Sequence, residues 1–437
     1  MIDNSNKKDL HNRWNTKILL KYIYFGFQKV IRTYKLIIFY LVYIFFFLMI
    51  WINRQNIWKV EIQFLKKPYE FCISLMLMIS FILIFFAIIF FIGKPIGAKR
   101  INDNLHRMGL TNNAGEAPIL ISKSKTDQNS KMMIWKFETC GIPISEWQDK
   151  QEKIESALNV RIDYIEQGKD CRQIIIHCVD GKNSLPDKIY WKSEKLSAKS
   201  FELILGESLT DCVKVDLSKV PHILIGGSTG SGKSVLLKLL LMQSVWKGAK
   251  VYIADFKGGV DFPSVWHKKC EIITEQNDLI NILEKLVSEI QNRKLLLSEN
   301  GCANIDEYNQ KCEQSLERII IGCDEIAEVL DKTGLDKSKK ELVSKIEYAM
   351  SVIARQGRAF GVHLIIATQR PDANILNGQI RNNIDIRICG RADDVLSQII
   401  LDNTDASDKI PKNSQGRFLT NSGILFQSYY FNDADWN

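Results

Sequence analysis

Two long apolar stretches near the amino terminus set the first rhythm of the chain. Leu36–Ile52 runs without a charge, and Phe71–Gly93 does so again over 23 residues. A membrane span takes about 20 apolar residues, so the pattern predicts two transmembrane helices, 36–52 and 71–93, joined by the short loop 53–70. Phe45-Phe46-Phe47 and Phe85-Phe86 would be hard to cover in a soluble hairpin. The first run also starts too late, and is too long, for a cleaved signal peptide. Upstream, Trp14–Lys35 interleaves Ile18, Leu19, Leu20, Tyr22, Phe25 and Phe27 with lysines. That mixture fits an interfacial amphipathic helix and fits equally a solvated helix leading into the membrane.

From residue 94 the pattern is that of a soluble protein. Residues 94–130 are polar, rich in Lys, Asn and Ser, and read as a linker with some local structure. Met132–Thr139, Val160–Ile165 and Gln173–Val179 have strand character, and Ser145-Glu-Trp-Gln148 has the form of a capping box. It would open a helix with Trp147, Ile154, Ala157 and Leu158 on one face. Residues 131–200 are therefore expected to form a small α/β domain. It shows no catalytic constellation, and His177, inside an apolar strand, reads as a packed side chain.

In residues 201–437 short apolar runs alternate with helical patterns. The runs are Ile223–Ile225, Val251–Ala254, Arg318–Cys323, His363–Ala367 and Ile384–Cys389. Between them lie the leucine-rich Val235–Trp246 and the amphipathic Asp278–Leu297, whose stripe holds Leu279, Ile282, Leu283 and Leu286. This alternation predicts a doubly wound parallel sheet of the α/β class. No further domain is expected after Phe418-Leu419.

Charge sharpens the membrane reading. The net charge is +8, yet residues 1–35 hold Lys7, Lys8, Arg13, Lys17, Lys21, Lys29, Arg32 and Lys35 against Asp3 and Asp9. The rest of the chain is near balance, so its basic character marks a membrane-flanking segment, and any nucleic-acid contact must come from local patches. The positive-inside rule puts residues 1–35 in the cytoplasm. Arg54, Lys59, Lys66 and Lys67 in the loop weaken that inference without reversing it. Two spans then return the chain to the cytoplasm. The 10 cysteines include no C-x-x-C pair, which argues against zinc and for core thiols in a reducing compartment.

The chemistry concentrates at strand ends. Gly227-Ser228-Thr229-Gly230-Ser231-Gly232-Lys233-Ser234 fits G-x-x-x-x-G-K-[ST] between a strand and a helix. Glycines let backbone N–H groups crowd a phosphate, and the helix terminus adds a positive dipole end. Lys233 is placed for β- and γ-phosphates and Ser234 for Mg²⁺, so ATP and Mg²⁺ are the expected cofactors. Asp324-Glu325 follow an apolar strand directly. There Asp324 would hold Mg²⁺ and Glu325 would orient the attacking water. Gln369, after the fourth strand, is a candidate for touching that water or the γ-phosphate. Asp255 and Lys257 end the second strand, as site residues or as a cap. Arg355 and Arg358 are candidates for DNA, for a neighbour's nucleotide, or for solvent alone.

With these motifs in order, Leu205–Leu419 resembles the motor of the FtsK/SpoIIIE DNA translocases. Matching pieces are Asp216-Leu-Ser-Lys-Val-Pro-His-Ile-Leu224, the 227–234 loop, Asn304-Ile-Asp-Glu-Tyr-Asn309, Asp324-Glu325, Gly357–Pro371, Asn383-Ile-Asp-Ile-Arg387 and Ile400-Leu-Asp402. The resemblance implies a RecA-like P-loop ATPase that assembles as a homo-oligomeric hexamer with DNA in its channel. It also implies that Arg387 stands where such motors carry an arginine reaching a neighbour's nucleotide. Departures narrow the subtype: two spans where segregating members usually have four, a short linker, no winged-helix reader, and Gln398 in place of a common arginine. That layout is similar to coupling proteins of Gram-positive conjugative elements, which bring relaxase-bound DNA to a type IV secretion channel. The expected function is thus a multi-pass, membrane-anchored DNA translocase with a cytoplasmic motor at residues 201–437. The alternatives are a chromosome-segregation or sporulation translocase, and a type VII-like protein-secretion ATPase, although those usually carry several motors. An intact set of Lys233, Ser234, Asp324 and Glu325 argues against a non-hydrolysing scaffold.

Overall fold

The computed structural model describes residues 2–57, 66–126, 131–257, 260–369 and 378–436. Lys59 of the predicted loop, Gly258-Gly259 and Arg370-Pro371 lie outside these residues. Contacts divide the chain into two units, Met1–Asn183 and Ser184–Asn437.

The first unit starts with three helices, α1 (Ile2–Arg32), α2 (Tyr34–Ile57) and α3 (Lys66–Gly93). α2 and α3 are long and apolar enough to cross a membrane, and only 6% of each apolar window is buried, which a soluble core helix would not tolerate. They meet along aromatic contacts: the Tyr43 ring stacks on Phe81, and its hydroxyl donates to the Phe81 carbonyl at 2.9 Å.

α1 departs from both readings of its sequence. One face is neither in solvent nor free for an interface, because Ile18, Tyr22 and Phe25 join the core of the following domain. Two glycines make the approach possible. A Cβ on Gly26 would stand 2.0 Å from the Ile89 carbonyl oxygen, and one on Gly93 would stand 2.0 Å from that of Tyr22. Lys17 and Lys21 pair with Glu116 and Glu138. The other face leaves Leu20, Tyr24, Phe27 and Ile31 exposed at helical spacing.

The expected linker 94–130 is corrected as well. It contributes α4 (Ala98–Arg107) and β1 (Ile119–Lys125), the edge of a four-stranded antiparallel sheet. Its partners are β2 (Met133–Glu138), β3 (Val160–Gln167) and β4 (Gln173–Asp180), in the order β1-β2-β4-β3. Few apolar residues in this segment are wasted: Ala98, Ile101, Leu105, Leu110, Ile119 and Leu120 are all buried. Asn102, a residue typical of linkers, is buried too. It donates to the Tyr22 hydroxyl at 2.9 Å and accepts from the Leu120 N–H at 3.1 Å. The capping box at Ser145 does not form. Helix α5 (Ile144–Asp149) begins after Pro143, whose ψ of 155° breaks the chain one residue earlier, and α6 (Gln151–Leu158) follows. His177 is packed, stacked on Tyr164 and bonded to Glu166 at 2.9 Å.

The second unit is built on one large sheet. Its strands are β5 (Ile189–Tyr190), β6 (Glu202–Ser208), β7 (Cys212–Asp216), β8 (Ile223–Gly226), β9 (Lys250–Ala254), β10 (Glu271–Ile273), β11 (Ile319–Cys323), β12 (Val362–Thr368), β13 (Ile386–Cys389), β14 (Arg417–Thr420) and β15 (Leu425–Tyr430). They lie in the order β10-β9-β11-β12-β8-β13-β14-β15-β6-β7, with β5 beside β15. Pairing is parallel from β10 to β13, as the alternating pattern predicts. Along the path β13-β14-β15-β6-β7 it turns antiparallel, with tight turns joining β14 to β15 and β6 to β7, while β5 pairs parallel with β15. Successive residues serve opposite cores. Ile223, Ile225 and Ile320 face α7 (Lys233–Trp246), whereas Leu224, Ile319 and Ile321 face the helices Gln276–Glu299 and Lys337–Phe360. Gln243 of α7 is fully buried and bonds both the N–H and the carbonyl of Ile204 at 2.8 Å.

At the amino ends of β8, β11 and β12 sits a buried polar network. Arg318 grips Asp306 through two bonds of 2.6 and 2.7 Å, and it donates to His363 Nε2, whose Nδ1 donates to the Pro221 carbonyl. His222 Nδ1 accepts from the Leu364 N–H at 2.9 Å, and burial pushes its pKa down to about 4. The unfolded chain therefore takes up this proton first, near pH 6.5. Stability of the unit should fall as pH drops from about 6.5 to about 4, by up to ~1.4 kcal/mol per pH unit for this group. Denaturant unfolding across that range tests it. His222→Asn, which keeps an acceptor for Leu364, should flatten the slope.

Candidate active site

Parallel register brings four strand ends to one level. Cys323 of β11 lies opposite Ala254 of β9 and Ile366 of β12, and Thr368 lies opposite Gly226 of β8. Whatever follows those residues is delivered to the same crevice, the usual ligand side of an open α/β sheet.

After β8 the chain turns through Gly227–Gly232 into α7. Gly230 and Gly232 take φ of +75° and +99°, values open to glycine at little cost. Gly232 is needed for space too, since a Cβ would come 3.1 Å from the backbone of Gly416. The loop is pinned from outside: the Ser228 N–H donates to the Arg391 carbonyl and the Gly416 N–H donates to that of Ser231, both at 2.8 Å. Arg391 also donates to the Thr229 carbonyl at 2.6 Å.

Lys233 is buried and points along the crevice. Its Nζ donates to the Asp324 carbonyl at 3.3 Å and lies 3.9 Å from Asp324 Oδ1. Lys257 reaches Asp324 Oδ2 at 2.9 Å, and Ser234 also bonds this carboxylate. Burial alone would raise the Asp324 pKa, but Lys233, Ser234 and Lys257 together hold it below the ordinary value. Asp324 therefore stays ionised in a nearly dry site. Neighbouring Asp255 is pushed the other way, mainly by burial, although its Oδ1 accepts from the Lys257 N–H at 3.0 Å.

Glu325 is held just as firmly. Its Oε1 accepts from Thr368 Oγ1 at 2.9 Å and its Oε2 from the Gln369 N–H at 3.0 Å. The Gln369 side-chain oxygen in turn accepts from Thr229 Oγ1 at 3.0 Å. One residue thus touches both the glycine loop and the acid. Of the residues singled out in the sequence, Gly227–Ser234, Asp324, Glu325 and Gln369 gather here. Arg387 does not: it pairs with Asp402 at 2.6 Å and, among the described residues, bonds none of this cluster. Thr368, Arg391 and the reach of Lys257 to Asp324 escaped the reading. Each stands at or just after a strand's carboxyl end, the one signal that could have found it.

The residues present fit a magnesium–nucleoside triphosphate. Asp324 Oδ1 and Ser231 Oγ are buried without hydrogen-bond partners, the loop excludes side chains from its cradle, and one buried ammonium faces it. Ser234 and Asp324 would hold the metal.

Known proteins resemble the chain over this region. A model of the FtsK/SpoIIIE family matches residues 190–373. The DNA translocase FtsK of Helicobacter pylori strain J99 is 31% identical over 276 residues, 58% of this chain and 30% of that protein. That of Campylobacter jejuni strain 81-176 is 30% identical over 222 residues, 47% and 22%. The chain thus spans less than a third of these curated relatives. A solved structure of the pCW3 conjugation coupling protein TcpA, a monomer form with ATPγS, is 37% identical with a TM-score of 0.58. That match covers 77% of this chain and 96% of the other.

Two glycine substitutions test the cradle. Gly232→Ala combines left-handed strain of about 1–2 kcal/mol with the push on Gly416, and should weaken ATPγS binding about tenfold or more by calorimetry. Gly248→Ala carries similar strain at φ +78° but meets nothing within 4 Å. It should leave that affinity unchanged.

Proposed function

The chain belongs to the FtsK/SpoIIIE family of ATP-hydrolysing enzymes, and from that premise we propose that it is a membrane-anchored DNA translocase serving as a conjugative coupling protein. The observation that carries the finer reading is the likeness to a conjugation coupling protein over 96% of that chain's length. The segregating translocases share less than a third of theirs. The two apolar helices supply the anchor, with the second unit in the cytoplasm, where ATP is.

Bound ATP supplies a phosphoanhydride to be cleaved, and Mg²⁺ draws charge from its phosphates. The chain's own residues do the rest. Lys233 places a buried positive charge at the cradle, and Ser234 and Asp324 offer oxygens for the metal. Glu325 receives three hydrogen bonds that fix its carboxylate, from Thr368, the Gln369 N–H and the Ala327 N–H, so it is set to orient water and take up a proton. Gln369 ties that acid to Thr229 in the loop, which makes it the residue that reports what the loop holds. Subunits arranged as a hexamer would pass DNA through the central channel, gripping its phosphates. A relaxase and channel subunits of a type IV secretion system are the partners this role requires.

Two measurements test the reading. Glu325→Gln should retain nucleotide affinity within about threefold while turnover falls by about 100-fold or more, and Lys233→Ala should lose both. In a host that carries the gene, either variant should cut transconjugant numbers by orders of magnitude and leave chromosome partition intact. Normal transfer with failed partition would move the assignment to segregation. Binding of DNA by the purified chain should weaken steeply with salt, because phosphate contacts release counterions. A salt-independent affinity would exclude a backbone grip.

A further inference from the structure

A cleft of about 930 Å³ opens in the first unit where the apolar helices end, and four cations line it: Lys29 and Arg32 of α1, Lys94 just past α3, and Lys123 of β1. The cleft has no acidic lining residue. The contrast with the same helix nearby is informative. Lys17 and Lys21 each have a glutamate, whereas none of these four has an acidic partner among the described residues. Lys94 lies over the Phe90 ring and Lys123 over the Trp135 ring. Four unneutralised cations around one cavity repel one another and favour an anion between them.

The rest of the lining is apolar and continues the surface of the spans. Leu36, Phe91 and Ile92 form that wall, and Phe91 is largely exposed. Ile96, one turn beyond the last span, is 95% exposed, which suits an acyl environment better than water. A ligand with a negative head and an apolar tail satisfies both walls, and at this depth the membrane itself provides one. We propose that the cleft is a binding site for an anionic phospholipid, its phosphate among Lys29, Arg32, Lys94 and Lys123 and an acyl chain along Leu36 and Phe91. The site rests on the anchored reading above. It would fix α1, and with it the small domain, to the acidic leaflet.

The test uses the full chain reconstituted in mixed phospholipid vesicles, with spin-labelled phosphatidylglycerol or phosphatidylcholine as probe. The fraction of motionally restricted label gives the relative association of the two. Wild type should favour phosphatidylglycerol by about threefold or more. Arg32→Gln/Lys94→Gln/Lys123→Gln should bring the ratio close to one, and Lys99→Gln/Arg100→Gln, which alters cations outside the cleft, should keep it. Absence of a preference in wild type, or its persistence in the triple variant, overturns the proposal. So does its abolition by millimolar inorganic phosphate, which would make the cleft a free-anion site. Should the triple variant fail to fold, Lys94→Gln alone must still lower the ratio by about half. Alkaline carbonate extraction separates the two levels: a chain washed from membranes refutes the anchor, and an embedded chain without lipid preference refutes only this site.

Discussion

A buried carboxylate is the constraint around which the second unit is arranged. Asp324 is almost completely removed from solvent, and an uncompensated charge there would cost several kcal/mol. It is tolerated because three donors converge on it from two different strand ends: Lys233 and Ser234 after β8, and Lys257 after β9. That convergence requires the strands to stop at one level. The two-sided burial of the sheet enforces it, since a slip of one residue would trade the core face of every isoleucine in β11 and β12. The hydrophobic pattern therefore does more than stabilise the sheet. It sets the height at which the acids emerge.

The same logic explains the glycine loop. Its conformation is fixed less by its own bonds than by neighbours, the Arg391 carbonyl on one side and Gly416 on the other. Both belong to segments that come more than 150 residues later in the chain. The antiparallel extension β14-β15-β6-β7 thus has a local consequence. It brings Gly416 against Gly232, so that a Cβ there would meet its backbone at 3.1 Å and have to push it aside.

This division accounts for what the sequence showed. The loop, the two acids and Gln369 were legible because their chemistry sits at the end of a local apolar run, and the parallel core because its strands are buried on both faces. The residues that complete the site were legible only in part. Thr368 looks like the last residue of a strand until Glu325 is seen beside it, and Lys257 stood out as a strand-end candidate without any sign that its partner is Asp324. In the first unit, residues 98–125 read as linker because seven buried apolar residues among many polar ones suffice for a small core that also borrows Tyr22 from α1. Local composition carries no information about such a loan. Gly26 and Gly93 were silent for the same reason, being needed only where two backbones touch.

Arg387 stands outside the active-site cluster. Its guanidinium is tied to Asp402, but that carboxylate is half exposed, and pairs of this kind contribute at most about 1 kcal/mol. Glu325, by contrast, is buried with three donors of its own. The difference separates parts that must be rigid within one subunit from parts that are cheap to release. An arginine in such a pair is cheaper to release than Glu325, and Asp402 keeps Arg381 as a second partner at 3.5 Å. Gln369 has no such freedom, because moving it disturbs both Thr229 and Glu325. Any coupling between the loop and the acid through Gln369 therefore runs along a short, fixed path.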